Sequence, residues 1–96
     1  GVVVKPKITA PSQIKYSTGF TLLATESKTA FKDNGAEIDH YEWILPDNSI
    51  MIGNSITYIA PSSAYVGQTI TFKCRAVDTL GNTSIYNTID ILVSDN

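Results

Sequence analysis

The stretch Ile38-Asp39-His40-Tyr41-Glu42-Trp43-Ile44-Leu45 holds the only tryptophan of the chain and constrains its fold most. Tyr41, Trp43 and Leu45 alternate with His40, Glu42 and Ile44, so a strand made from it has one bulky apolar face. Pro46 has no N–H to give to a ladder, and Asp47-Asn48-Ser49 is turn chemistry. A strand with a central Trp, closed by a polar turn, is expected in the middle of a small β-sandwich.

The rest of the chain repeats this pattern in short pieces. Lys7-Ile8-Thr9-Ala10, bracketed by Pro6 and Pro11, reads as an edge strand, and Ser12–Gly19 as a polar connection. Residues 20–26 form a second strand with Phe20, Leu22 and Ala24 inward. Ser27–Glu37 is a long polar loop containing Asn34-Gly35, suited to tight reversal. Ile50-Met51-Ile52 is a short apolar segment ending at Gly53-Asn54. Residues 55–60 alternate again and stop at Pro61. Residues 69–78 alternate most cleanly: Ile70, Phe72, Cys74 and Ala76 point in, while Thr71, Lys73 and Arg75 point out. Leu80-Gly81-Asn82 is a hairpin turn, and Ser84–Ser94 closes the domain with Ile89, Ile91 and Val93 inward. No segment has the periodicity of a helix longer than a turn or two. Some seven short strands with regular turn signals predict an all-β, antiparallel Ig-like sandwich.

Composition narrows the function classes. At 96 residues the chain makes one domain with one modest core. Its net charge is −2, and its Lys and Arg residues form no stripe, so nucleic acid is not an expected partner. No apolar run is long enough for a membrane span. One cysteine permits no internal disulfide, which fits a reducing compartment or a core that needs no staple. Residues 1–6 read as a linker or first edge strand and 7–96 as the domain. Gly1-Val2-Val3-Val4-Lys5 reads as a cut in mid-protein, so an N-terminal neighbour is expected.

Tyr41-Glu42-Trp43, the turn Pro46-Asp47-Asn48-Ser49 and the run Ala76-Val77-Asp78-Thr79-Leu80-Gly81-Asn82 together resemble PKD-type Ig-like domains. The resemblance covers about Leu22 to Val93. That family carries Tyr-x-Trp on strand C, a Gly-Asp-Gly-Ser turn after it, and Val-x-Asp-x-x-Gly-Asn at the F–G hairpin. This chain departs from it in the turn and in Ile44-Leu45, where Phe-Gly is usual, so it is PKD-like. Antibody-type domains have Tyr-x-Cys where this chain has Phe72-x-Cys74, and their partner cysteine is missing here. Cys74 is thus read as a small buried hydrophobe behind Trp43, and Phe72 cannot make a tyrosine-corner hydrogen bond. Leu22, Tyr41, Trp43, Phe72 and Cys74 are the expected structural core.

Disulfide-free Ig-like domains of this kind occur on bacterial surfaces, in secreted polysaccharide hydrolases and on tailed-phage virions. The Ser/Thr/Ile/Asn-rich style is similar to the phage group, including the outward domains of capsid decoration proteins of T5-like phages. The resemblance implies a non-catalytic display or adhesion module on a virion exterior or bacterial surface. It would follow an N-terminal capsid anchor and touch host cell-surface glycans. The alternative is an accessory or spacer domain of a secreted polysaccharide-degrading enzyme.

No catalytic, metal or cofactor site is expected. Cys74 has no adjacent base, and His40 has no partner ligands at useful spacing. Glu26, Asp33, Glu37, Asp39 and Asp78 gather near one end as oxygen donors, but Asp33 and Asp78 read first as turn residues. Lys28, Phe31 and Lys32 lie at that end too. In an Ig-like sandwich strand A starts there, so an N-terminal anchor leaves the other end free. Tyr16, Asp47, Asn48 and Tyr65 are therefore the expected binding residues of a free tip. With prolines in the edge strand and few charges, the isolated domain is expected to be a monomer.

Overall fold

Alternation along each segment decides which side chains enter the interior. In the computed structural model, which describes residues 3–96, eight strands form two sheets. They are β1 (Lys7–Thr9), β2 (Gln13–Lys15), β3 (Gly19–Thr25), β4 (Ile38–Ile44), β5 (Ile50–Ile52), β6 (Ser55–Ile59), β7 (Thr69–Asp78) and β8 (Asn87–Ser94). One sheet has the order β1-β3-β6 and the other β2-β8-β7-β4-β5. Helical structure among the described residues is limited to 3₁₀ turns at Lys32–Asn34 and Ser63–Tyr65. Gly1 and Val2 fall outside the described residues; Val3 is buried and bridges to Thr29.

The two inner faces meet over Leu22, Trp43, Phe72, Cys74, Ile91 and Val93, all without solvent contact, with Tyr41 buried beside them. Phe72 takes Phe20 and Tyr58 edge-on, at centroid separations of 6.0 and 5.0 Å, the favoured aromatic geometry. Trp43 brings a polar handle into this core, and its indole N–H donates to the Gly53 carbonyl at 2.8 Å. Gly53 in turn donates to the Tyr41 carbonyl at 3.1 Å from φ +152°, a conformation that L side chains rarely adopt. The turn after β5 is thus fitted to the Trp.

Two segments depart from the sequence reading. Gln13–Lys15, within the expected polar connection, is strand β2, paired parallel to β8. Only Ile14 in it points toward the core, and the Leu92 N–H donates to the Ser12 carbonyl just before it. The edge strand therefore leaves one sheet at Ala10–Ser12 and joins the other, which makes eight strands where seven were expected. At the end of β7, Ala76, Val77 and Asp78 are all buried in succession. A register shift between Ile38 and His40 inserts Asp39 into β4, so strict alternation fails there.

The registers fix two ends. β1, β4, β6 and β8 run toward one end, and β3 and β7 run away from it. That end, here the tip, gathers residues 16–18, 46–49 and 60–68. The loops 26–37 and 79–86 lie at the opposite end, where β1 begins.

Candidate functional site

The tip is assembled from three backbone devices. The Pro46–Ser49 turn closes when the Asn48 N–H donates to the Leu45 carbonyl at 2.9 Å, with Asn48 at φ +68°. Asparagine tolerates that left-handed conformation better than most residues. The Ser49 N–H and hydroxyl both donate to one Asp47 carboxylate oxygen, at 3.0 and 2.6 Å. These bonds, the hydroxyl first, hold the Asp47 carboxyl below its ordinary value. The 3₁₀ turn Ser63–Tyr65 carries Tyr65 into solvent, 47% exposed. The Gln68 N–H then donates back to the Tyr65 carbonyl at 3.0 Å, and Gly67 ties the loop to Val93 at 2.9 Å.

Between these loops and the outer face of β7 lies an open cleft of about 360 Å³. Asn48 and Tyr65 line it, as do Ile44, Pro46, Gln68, Thr69, Thr71 and Lys73. Residues 48–72 contain no Asp, Glu, Lys, Arg or His, so Lys73 is the only charged side chain on the cleft. Amides, hydroxyls, the Lys73 ammonium and one phenol ring surround an apolar floor of Ile44, Leu45, Pro46 and Ile70.

Of the four expected binding residues, the structure brings Asn48 and Tyr65 onto this cleft. Asp47 and Tyr16 sit at the same end but do not line it. Asp47 belongs to the Ser49 turn. Burial raises the Tyr58 phenol, and the Asp47 charge adds to that rise. Tyr16 is half-buried against the core, its N–H donating to Ser94 at 2.9 Å and its ring 5.6 Å from the Lys15 ammonium. Gln68, Thr69, Thr71 and Lys73 were not singled out from sequence. The outward alternation of Thr71 and Lys73 was the available signal.

The opposite end is a different environment. A second cleft of about 390 Å³ is lined by Ser27, Lys28, Thr29, Lys32, Ala36, Glu37 and Ile38. Asp78 is spent on the fold: Oδ1 accepts from the Leu80 and Asn82 N–H groups, and Oδ2 from the Thr29 hydroxyl and the Asn82 amide. Burial pushes its carboxyl up, and those bonds outweigh it, so the acid sits below the ordinary carboxylate value. No group of three or more His, Cys, Asp or Glu side chains among the described residues is placed to hold a metal ion. His40 pairs with Asp39 at 2.7 Å on the outer sheet face, where Glu42 binds Arg75 at 2.7 Å. Burial pushes the Cys74 thiol up to about 12, far from a nucleophile's range.

No protein-family model and no curated protein matches the chain. Among solved structures, the PKD domain of an M14-like peptidase from Thermoplasmatales archaeon SCGC AB-540-F20 superposes with a TM-score of 0.65. The alignment covers 94% of this chain and 93% of that one at 12% identity. The fold is therefore PKD-like. At that identity the likeness shows the architecture alone, a two-sheet Ig-like sandwich; with one cysteine, this chain has no internal disulfide.

Proposed function

We propose that this domain is a non-catalytic contact module of a longer protein that presents its tip cleft to uncharged carbohydrate. The observation that carries the reading is the cleft itself. An exposed Tyr65 ring stands beside the amides of Asn48 and Gln68 and the hydroxyl of Thr69, while the Thr71 hydroxyl donates to Asp90 at 2.6 Å and is left as an acceptor. Sugars offer C–H faces to an aromatic ring and hydroxyls to amides, and an open cleft of this size grips one or two rings weakly. Repetition on one particle or surface converts weak single contacts into firm attachment. That arithmetic suits display on a virion exterior or bacterial surface, where cell-surface glycans are the partner.

The likeness to a PKD domain from a peptidase favours a second reading, an accessory domain of a secreted hydrolase. In both readings the chemistry of the parent protein lies elsewhere and the tip faces away from the N-terminal strand. The test is retention of the isolated domain, multimerised on beads, on whole bacterial cells and on insoluble polysaccharides. Retention on cells that Tyr65→Ala abolishes supports the adhesion reading. Retention on one polysaccharide alone supports the hydrolase reading. No retention on any surface rules out the carbohydrate contact and leaves a spacer.

A further inference from the structure

The four sheet edges of this sandwich are not protected alike. On one side, β1 and β2 carry Lys7 and Lys15, with Pro6 and Pro11 beside them, the usual devices against strand addition. On the other side the edges are β5 and β6, and both lie within the uncharged run 48–72. In β5 all three side chains are exposed: Ile50 at 64%, Met51 at 39% and Ile52 at 63%.

The hydrogen-bond phase of β5 sets what its free edge offers. Toward β4, the Ser49 carbonyl accepts from Leu45 at 2.9 Å and the Gly53 N–H donates to Tyr41 at 3.1 Å. Polar groups alternate along an antiparallel pair, so Ser49, Met51 and Gly53 turn theirs to β4. Ile50 and Ile52 must then turn their N–H and C=O groups outward. This pattern is self-complementary. Two copies of β5 related by a two-fold axis at Met51 pair Ile50 with Ile52 of the other copy, twice, each as a hydrogen-bonded pair. Ile50 already lies opposite Ile44 on the outer face, and Ile52 opposite Glu42. Pairing therefore lines up Ile44, Ile50 and the second copy's Ile52 in one apolar row.

We propose that the β5 edge is a homophilic contact, through which two copies of this domain join their five-stranded sheets into one antiparallel sheet. The second copy is the occupant favoured because each net-negative chain meets the other on a stretch free of charge, in a register that satisfies both edges. The contact is small, so it is reversible and weak in dilute solution and gains from repetition. Its geometry points the two tips in opposite directions, which suits copies borne on facing surfaces. It does not depend on carbohydrate binding.

Cysteine scanning of the full chain tests both the contact and its register. Residue 51 faces itself across the two-fold as a non-hydrogen-bonded pair, at a Cα separation of about 4.5 Å, within disulfide range. Met51→Cys is expected to give a covalent dimer under mild oxidation at roughly millimolar chain concentration. Ile50→Cys and Ile52→Cys alone are not, yet mixed together they are expected to cross-link. Buried Cys74 stays unmodified and adds no background. Sedimentation of the unmodified chain over the same range is expected to show reversible dimer that Ile52→Lys, at a solvent-facing position, removes. Tyr65→Ala should leave it intact. A chain that stays monomeric at that concentration overturns the proposal. So does dimer that survives Ile52→Lys, or that is lost instead on Thr57→Lys in β6.

Discussion

Replacing Trp43 with Phe removes the donor that meets the Gly53 carbonyl at 2.8 Å and leaves a void at the centre of the core. Both losses act together, and a cost of about 2–4 kcal/mol in chemical denaturation is expected. Cys74 tests the same core without a mutation. Its thiol is shielded and its ionisation is pushed up to about 12 by burial. Labelling by a thiol reagent at neutral pH should follow global unfolding, and rapid labelling of the native domain would contradict that packing. Asp78 gives the acid limb of stability. Its folded pKa lies below the unfolded one, so its contribution is complete above the ordinary carboxylate value and fades as pH falls through the folded value. Thermal midpoints should therefore drop below a pH of about 4, and Asp78→Asn should be less stable at neutral pH with a shallower acid decline.

At the level of strands and turns, the informative position is Gly53. Its φ is +152°, and a Cβ there would meet the Ser55 carbonyl oxygen at 3.2 Å, so alanine is both strained and crowded. Gly53→Ala should cost about 1–3 kcal/mol, whereas Glu26→Gly, at φ +64°, should gain about 0.5–1 kcal/mol, both read by chemical denaturation. The sandwich itself was legible because Phe20-Leu22-Ala24, Tyr41-Trp43-Leu45 and Phe72-Cys74-Ala76 each declare their inner face locally. β2 was not, because Gln13-Ile14-Lys15 has a single inward residue and becomes a strand only through bonds to β8, far away in sequence. Val77 and Asp78 were missed for a related reason, since the irregularity that buries them lies on the partner strand at Asp39. At the tip, sequence order placed Tyr16, Asp47, Asn48 and Tyr65 at one end. It could not say that only Asn48 and Tyr65 turn toward the same cleft, which depends on how two loops meet β7.

As a whole molecule, the domain separates its chemistry by end and by side. Carboxylates and lysines gather around the loops nearest β1, where Asp78 ties the F–G turn to Thr29. The tip and one edge are uncharged over residues 48–72. The contact proposed for this domain is carbohydrate in the tip cleft. The most direct test is a backbone amide chemical-shift titration of the isolated domain with neutral cell-wall oligosaccharides. Saturable shifts confined to Asn48, Tyr65, Gln68, Thr69 and neighbouring amides, absent in Tyr65→Ala, are the result expected. Shifts centred on Ser27–Glu37 at the other end, or none at any concentration reached, would contradict it.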